Sequence, residues 1–209
     1  MEKIIESFKR AQIEAFFVET RDDAKALALE IIEKKRELLG KAPKEMKISW
    51  GGSVTLDQIG LRDDVSERYN ALNPYVGTPA EQNELKRQAL LSDVFLMGSN
   101  AITENGELVN IDGNGNRLGA LIFGPDMVII TVGKNKLVKN VAEAQKRVKQ
   151  IACPKNAQRL NRATPCAKNG ECGNCYIGGA TICAHTVVTR FSGNKDRIKL
   201  IIVNEELGY

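Results

Sequence analysis

Two runs limit what this chain can fold into more than any other feature: DVFLMGS at 93–99 and MVIITV at 127–132. Both have strand length and are almost continuously apolar. A strand with one face in water alternates apolar and polar residues, whereas one covered on both faces does not. Such strands lie inside parallel sheets with helices packed on each side. Neither run approaches the ~20 residues needed to cross a bilayer, so no membrane span is expected.

The rest of the chain fits that frame. Ile4, Ile5, Phe8 and Ile13 recur near helical spacing, EAFFVE at 14–19 is strand-like, and Thr20 offers an N-cap for a helix to about residue 39. KISW makes a short strand before Gly51, Tyr69 to Leu72 another, and a helix from Pro79 runs to about Leu91. ITENGELVNIDG reads as a hairpin turned by Asn105-Gly106. Residues 139–152 form a basic amphipathic helix, and HTVVTRF and RIKLIIVNEE are two late strands. Helices alternating with apolar strands predict an α/β fold, layered around a mostly parallel sheet. At 209 residues with 43% hydrophobic content, one domain over 1–209 is expected, with the cysteine-rich loop 164–184 as an insertion.

Strand carboxyl ends are where such sheets place ligands, and here polar loops follow the apolar strands. Gly51-Gly52-Ser53 follows KISW and opens a helix, a geometry that suits an anion or simply a tight turn capped by Ser53. Asn100 and Thr103 can orient a polar substrate, and Glu104 can serve as nucleophile or base if desolvated, or stand exposed in its turn. Asn116 and Arg117 close a Gly-rich loop; Arg117 can clamp a carboxylate or phosphate, or pair with Asp112 or Glu104. Asn135 and Lys136 follow the 127–132 strand. If these strands are parallel, the loops meet on one rim and form a pocket for a small anionic molecule.

Four of the five cysteines, Cys166, Cys172, Cys175 and Cys183, fall within 18 residues, among glycines at 170, 173, 178 and 179. Thiolates are soft ligands for zinc or an iron–sulfur cluster. The spacing, five residues before the CxxC and seven after, fits neither a zinc ribbon nor the usual ferredoxin run. A metal centre leads, with disulfides and free thiols as alternatives. Cys153, in IACPKNA at an expected helix end, reads as a small buried hydrophobe. His185 is the only histidine and reads as an ordinary strand-start residue.

No signal peptide is evident in MEKIIESFKR, so a reducing cytoplasm is the expected location, which would favour metal over disulfide. Thirty basic and 26 acidic residues are interspersed for a net +4, and aromatic content is 5%. Nothing there suggests a nucleic-acid surface.

GGSVTLDQIG, SNAITENGELVNIDGNGNRLGALIFGP, VGKNK and PKNAQRLNRATPC together resemble the lactate-utilisation (LUD-domain) family over nearly the whole chain. The resemblance implies a fold related to CoA-transferases, ribose-5-phosphate isomerase and glucosamine-6-phosphate deaminase. It also implies a link to L-lactate oxidation to pyruvate, in a system whose other members carry redox modules. Thr103-Glu104-Asn105-Gly106 is similar to the Ser-Glu-Asn-Gly of class I CoA-transferases, which would make Glu104 the residue that forms a glutamyl-CoA anhydride. Beyond Cys166, the cysteine loop to 183 is not among the features that carry this resemblance. The expected function is binding of a small anionic metabolite in 2-hydroxy-acid oxidation. A CoA-transferase-like or sugar-phosphate enzyme using Glu104, and a non-catalytic accessory protein of an iron–sulfur redox complex, are the alternatives. A homo-oligomer fits any of them.

Overall fold

The computed structural model describes residues 1–173, 175–176 and 179–209. Its main sheet is built from β1 (Glu14–Val18), β2 (Lys47–Trp50), β3 (Asn70–Leu72), β4 (Val94–Met97), β7 (Met127–Gly133) and β10 (Ile198–Val203). The order across it is β1-β10-β7-β4-β2-β3, and every pairing is parallel. A second sheet holds β5 (Ala101–Thr103), β6 (Leu108–Asp112), β8 (Leu137–Val138) and β9 (His185–Thr189), in the order β8-β5-β6-β9. β5 and β6 form the hairpin read from Asn105-Gly106. The two late strands do not pair with each other. β9 runs antiparallel to β6, while β10 enters the main sheet between β1 and β7.

Period-two alternation explains the unbroken apolar runs. Val94 and Leu96 of β4, Ile129 of β7, and Ile201 and Val203 of β10 enter one core with Ile32, Trp50 and Leu56. Phe95 and Met97, Val128, Ile130 and Val132, and Leu200 and Ile202 enter a second core with Phe8, Ile13 and Leu121. Each strand residue is buried against one layer or the other, so neither face needs polar residues.

The helices are α1 (Glu2–Arg10), α2 (Arg21–Leu38), α3 (Val54–Ile59), α4 (Leu61–Arg68), α5 (Pro79–Gln88), α6 (Asn116–Ile122), α7 (Val141–Arg147), α8 (Cys153–Arg159) and α9 (Pro165–Asn169). Thr20 caps α2 in a box with Asp23, as its sequence position predicts. The helix expected over 139–152 begins at Val141 and is α-helical only to Arg147. A π turn over Val148–Ala152 joins α7 to α8. Pro154 lacks an N–H and crowds the preceding turn, and the wider π turn accommodates it. Cys153 therefore begins a helix rather than ending one. No helix among the described residues is long and apolar enough to cross a membrane.

Candidate functional site

Because the main sheet is parallel, the loops after β2, β4 and β7 leave the same edge. There they line a cavity of about 400 Å³ with Gly52, Ser53, Asn100 and Lys136, joined by Asn116 and Arg117 from the start of α6, which follows β6 of the second sheet. Six of the residues singled out from the sequence thus share one wall. The lining, among the described residues, carries five cationic side chains (Lys86, Arg117, Lys136, Arg159 and Arg162) against one carboxylate side chain, Asp112.

Arg117 is fixed rather than free. Its Nε lies 3.2 Å from Asp112 Oδ2, and its Nη2 donates to the Ile111 carbonyl at 2.6 Å. Asp112 also accepts from the backbone N–H groups of Asn114, Gly115 and Arg117. The pairing with Asp112 foreseen for Arg117 is therefore present, and it aims the guanidinium while offsetting its charge. Gly51 does not line the cavity. It underlies the aliphatic stem of Arg117, where any Cβ would overlap Arg117 Cγ.

Lys136 is different. It is 5% exposed, and among the described residues its Nζ makes one hydrogen bond, to Thr55 Oγ1 at 3.1 Å. Burial pushes its pKa down to about 7, and the charges of Arg147 and Arg117 push the same way. Glycines make room for it. A Cβ on Gly208 would stand 2.9 Å from Lys136 Nζ, and one on Gly98 2.8 Å from Ser53 Oγ. Arg147 is itself buried and donates to backbone oxygens, those of Asn135 at 3.0 Å, Asn100 at 2.7 Å and Tyr209, the last residue of the sequence, at 3.0 Å. Lys136 and Arg147 thus lie near each other, and among the described residues no carboxylate side chain is bonded to either.

Ser53 has a second role besides lining the cavity, and the remaining residues from the sequence reading sit elsewhere. Ser53 caps α3, accepting from Leu56 N–H at 3.3 Å. Asn135 clasps the chain end, accepting from Leu207 N–H at 3.1 Å. Thr103 bonds Glu107 within the hairpin, and Glu104 is exposed in its turn and outside the cavity lining. Gly106 in that turn abuts the backbone of Ser7 and Phe8, with φ +86°. The Thr-Glu-Asn-Gly string thus follows the demands of a turn docked on α1. Arg147, Gly98 and Gly208 carry no sequence signal of their own, since their partners lie far off in the chain.

The cysteines gather at one end of the cavity, whose wall includes Cys153, Thr181 and Ile182. Cys153 and Cys183 have their sulfurs 3.2 Å apart. Their shared hydrogen bond, then burial and the neighbouring thiols of Cys183, Cys166 and Cys172, hold the Cys153 thiol well above its ordinary range. The same bond favours the Cys183 thiolate. Cys153 is buried as expected, but it belongs to the thiol cluster. Cys166 is buried, Cys172 exposed and Cys175 half-buried. Among the described residues no three His, Cys, Asp or Glu side chains are already arranged as metal ligands. His185 starts β9 opposite Asp112.

The LUD domain model matches residues 1–203. The chain belongs to the LUD-domain family. A DUF162 family protein from Deinococcus radiodurans is similar at 15% identity, covering 97% of this LUD-domain chain and 95% of that one, with a TM-score of 0.49. Ribose 5-phosphate isomerase A from Methanocaldococcus jannaschii is 18% identical over 54% of this chain and 56% of that one, with a TM-score of 0.32. Ribose 5-phosphate isomerase from Plasmodium falciparum is 18% identical over 54% of each chain, with a TM-score of 0.29. No curated protein matches the chain. Family membership associates this LUD-domain protein with lactate utilisation.

Proposed function

We propose that the cavity binds a small carboxylate, a 2-hydroxy or 2-oxo acid of lactate chemistry. The observation that supports this reading is Lys136: a buried amine with one hydroxyl partner, flanked by two arginines and opening into a polar cavity. A carboxylate there gains charge-assisted hydrogen bonds from Lys136 and from the guanidinium edge of Arg117. It also relieves the mutual repulsion of the cations. The substrate's second oxygen has Ser53 and Asn100 within the same lining. The test is calorimetric titration of L-lactate and pyruvate at pH 6.5 into the wild type and Lys136→Met. Saturable binding that weakens at least tenfold in Lys136→Met supports the pocket. Absence of binding in the wild type, or unchanged binding in the variant, removes it.

A metal at the cysteine loop is a second part of the proposal. An all-thiol donor set suits a soft cation, and the 3.2 Å between Cys153 and Cys183 is near the ~3.7 Å that separates two thiolates on one tetrahedral zinc. Cys166 and Cys172 stand in the same neighbourhood. Bound there, zinc would brace the cavity wall. Elemental analysis and a visible spectrum of protein purified without oxygen decide it. One zinc in a colourless protein supports the reading, a brown protein points to an iron–sulfur cluster, and metal-free protein removes both.

A further inference from the structure

Building on the carboxylate pocket, we infer that Lys136 is a nucleophilic amine that condenses with the carbonyl of a 2-oxo acid. The geometry carries this in three steps. The amine is shielded from water and, among the described residues, is not locked into an ion pair; Thr55 Oγ1, at 3.1 Å, is its one hydrogen-bond partner among them. It stands in the wall of a cavity whose opposite demand, a carboxylate, is met by Arg117, held in place by Asp112. A 2-oxo acid presents a carboxylate and a carbonyl one bond apart, so anchoring the first brings the second to Lys136. The glycine at 208 admits the end of the side chain, since a Cβ there would stand 2.9 Å from Nζ. Burial and the nearby Arg147 and Arg117 keep a large share of the amine neutral near pH 7, the form that attacks carbonyls.

The step balances without an oxidant. The Lys136 nitrogen bonds to the carbonyl carbon, the carbon–oxygen bond breaks, and one water leaves with the two amine protons. A 2-hydroxy acid has no carbonyl and stays bound only by charge. The pocket would thereby tell the oxidised acid from the reduced one, holding the 2-oxo acid through a hydrolysable imine and the 2-hydroxy acid by charge alone.

Borohydride trapping tests this in the intact protein. Protein is incubated with pyruvate or with L-lactate, reduced with borohydride, and analysed by intact mass and peptide mapping, with calorimetry of both acids run alongside. The expected result is a gain equal to the mass of pyruvate less one oxygen, on the peptide carrying Lys136, absent with lactate and suppressed by excess lactate. Mapping on the wild type locates the adduct even if Lys136 variants fold poorly. Pyruvate binding without an adduct overturns the imine while leaving the pocket. Adducts on surface lysines alone also overturn it. Failure of both acids to bind removes the pocket and the imine with it.

Discussion

Gly51 lies directly beneath the aliphatic stem of Arg117, close enough that no side-chain carbon can stand at residue 51 while Arg117 keeps its place. The contact links the first polar loop to α6, and it explains why a glycine follows β2. Gly51→Ala must move either the loop or the arginine. Overpacking of this kind costs about 1–3 kcal/mol, yet the guanidinium can shift toward the open cavity. The expected outcome is a modest loss of melting temperature with a larger loss, about tenfold, in carboxylate affinity. Equal affinity in a folded Gly51→Ala would show that the position of Arg117 does not govern binding.

Lys136 gives a pH signature in stability. Its folded-state pKa is about 7 against an ordinary 10.5. Between those values the unfolded chain holds a proton at residue 136 that the folded chain lacks, so stability rises with pH across that window. Below about pH 7 both states are charged and the full cost of burying the ammonium is present. Lys136→Met should therefore stabilise the ligand-free protein, by on the order of 2 kcal/mol near pH 6, with the gain fading as pH approaches 10. Urea midpoints of the two proteins at pH 6 and pH 9 check the sign. A variant less stable than wild type at pH 6 contradicts it.

The same titration acts on ligands in the opposite direction. A carboxylate prefers the charged amine, so lactate affinity should fall as pH rises above 7, by at most about tenfold per unit for one linked proton. The other charged groups near Lys136 are Arg117, paired with Asp112, and Arg147. Lys136 is the group whose lowered pKa falls inside this range, so the profile reads its charge. Calorimetry of lactate from pH 6 to 9 reads it directly, and a flat profile would show that Lys136 does not hold the anion.

Much of the fold was legible because local pattern and global environment agree. The unbroken runs 94–97 and 127–132 announced burial on both faces, and Thr20 with Asp23 announced the start of α2. Strand ends gave the rim, so Ser53, Asn100, Arg117 and Lys136 could be placed together before any coordinates. What stayed hidden depends on long-range neighbours. Arg147 sits in an ordinary basic helix stretch, and only the carbonyls of Asn100, Asn135 and Tyr209 reveal that it is buried. Cys153 looked apolar because its sulfur partner is 30 positions away. Glu104 misled for the converse reason: its string carries the residues of a hairpin turn, and the turn alone accounts for them.

Glu104→Gln is accordingly expected to leave carboxylate affinity within about twofold of wild type. The side chain is exposed and outside the cavity lining, and single exposed substitutions away from a site usually change stability by no more than about 0.5 kcal/mol. The parallel calorimetric titration is the control for the Lys136 experiment. A large loss would mean that the hairpin reaches the ligand by a route its position does not suggest.

Cys153 and Cys183 make the last expectation. Their sulfurs are 3.2 Å apart, so a small movement brings them to the ~2.05 Å of a disulfide. Protein freed of metal by chelator and then treated with a diazene oxidant, which removes two electrons and two protons from a dithiol, should form the Cys153–Cys183 link. Peptide mapping after alkylation should find exposed Cys172 labelled first and Cys153 protected. Zinc restored before oxidation should block the link, because the same sulfurs cannot bind metal and each other. Cys183→Ser should abolish it without unfolding the chain, since Cys183 is only half-buried. Since Cys153 also forms part of the cavity wall, oxidised and reduced protein should differ in carboxylate affinity. Free alkylation of Cys153 in the folded, metal-free protein would show that the pair does not exist in solution, and with it would go the coupling of the thiols to the pocket.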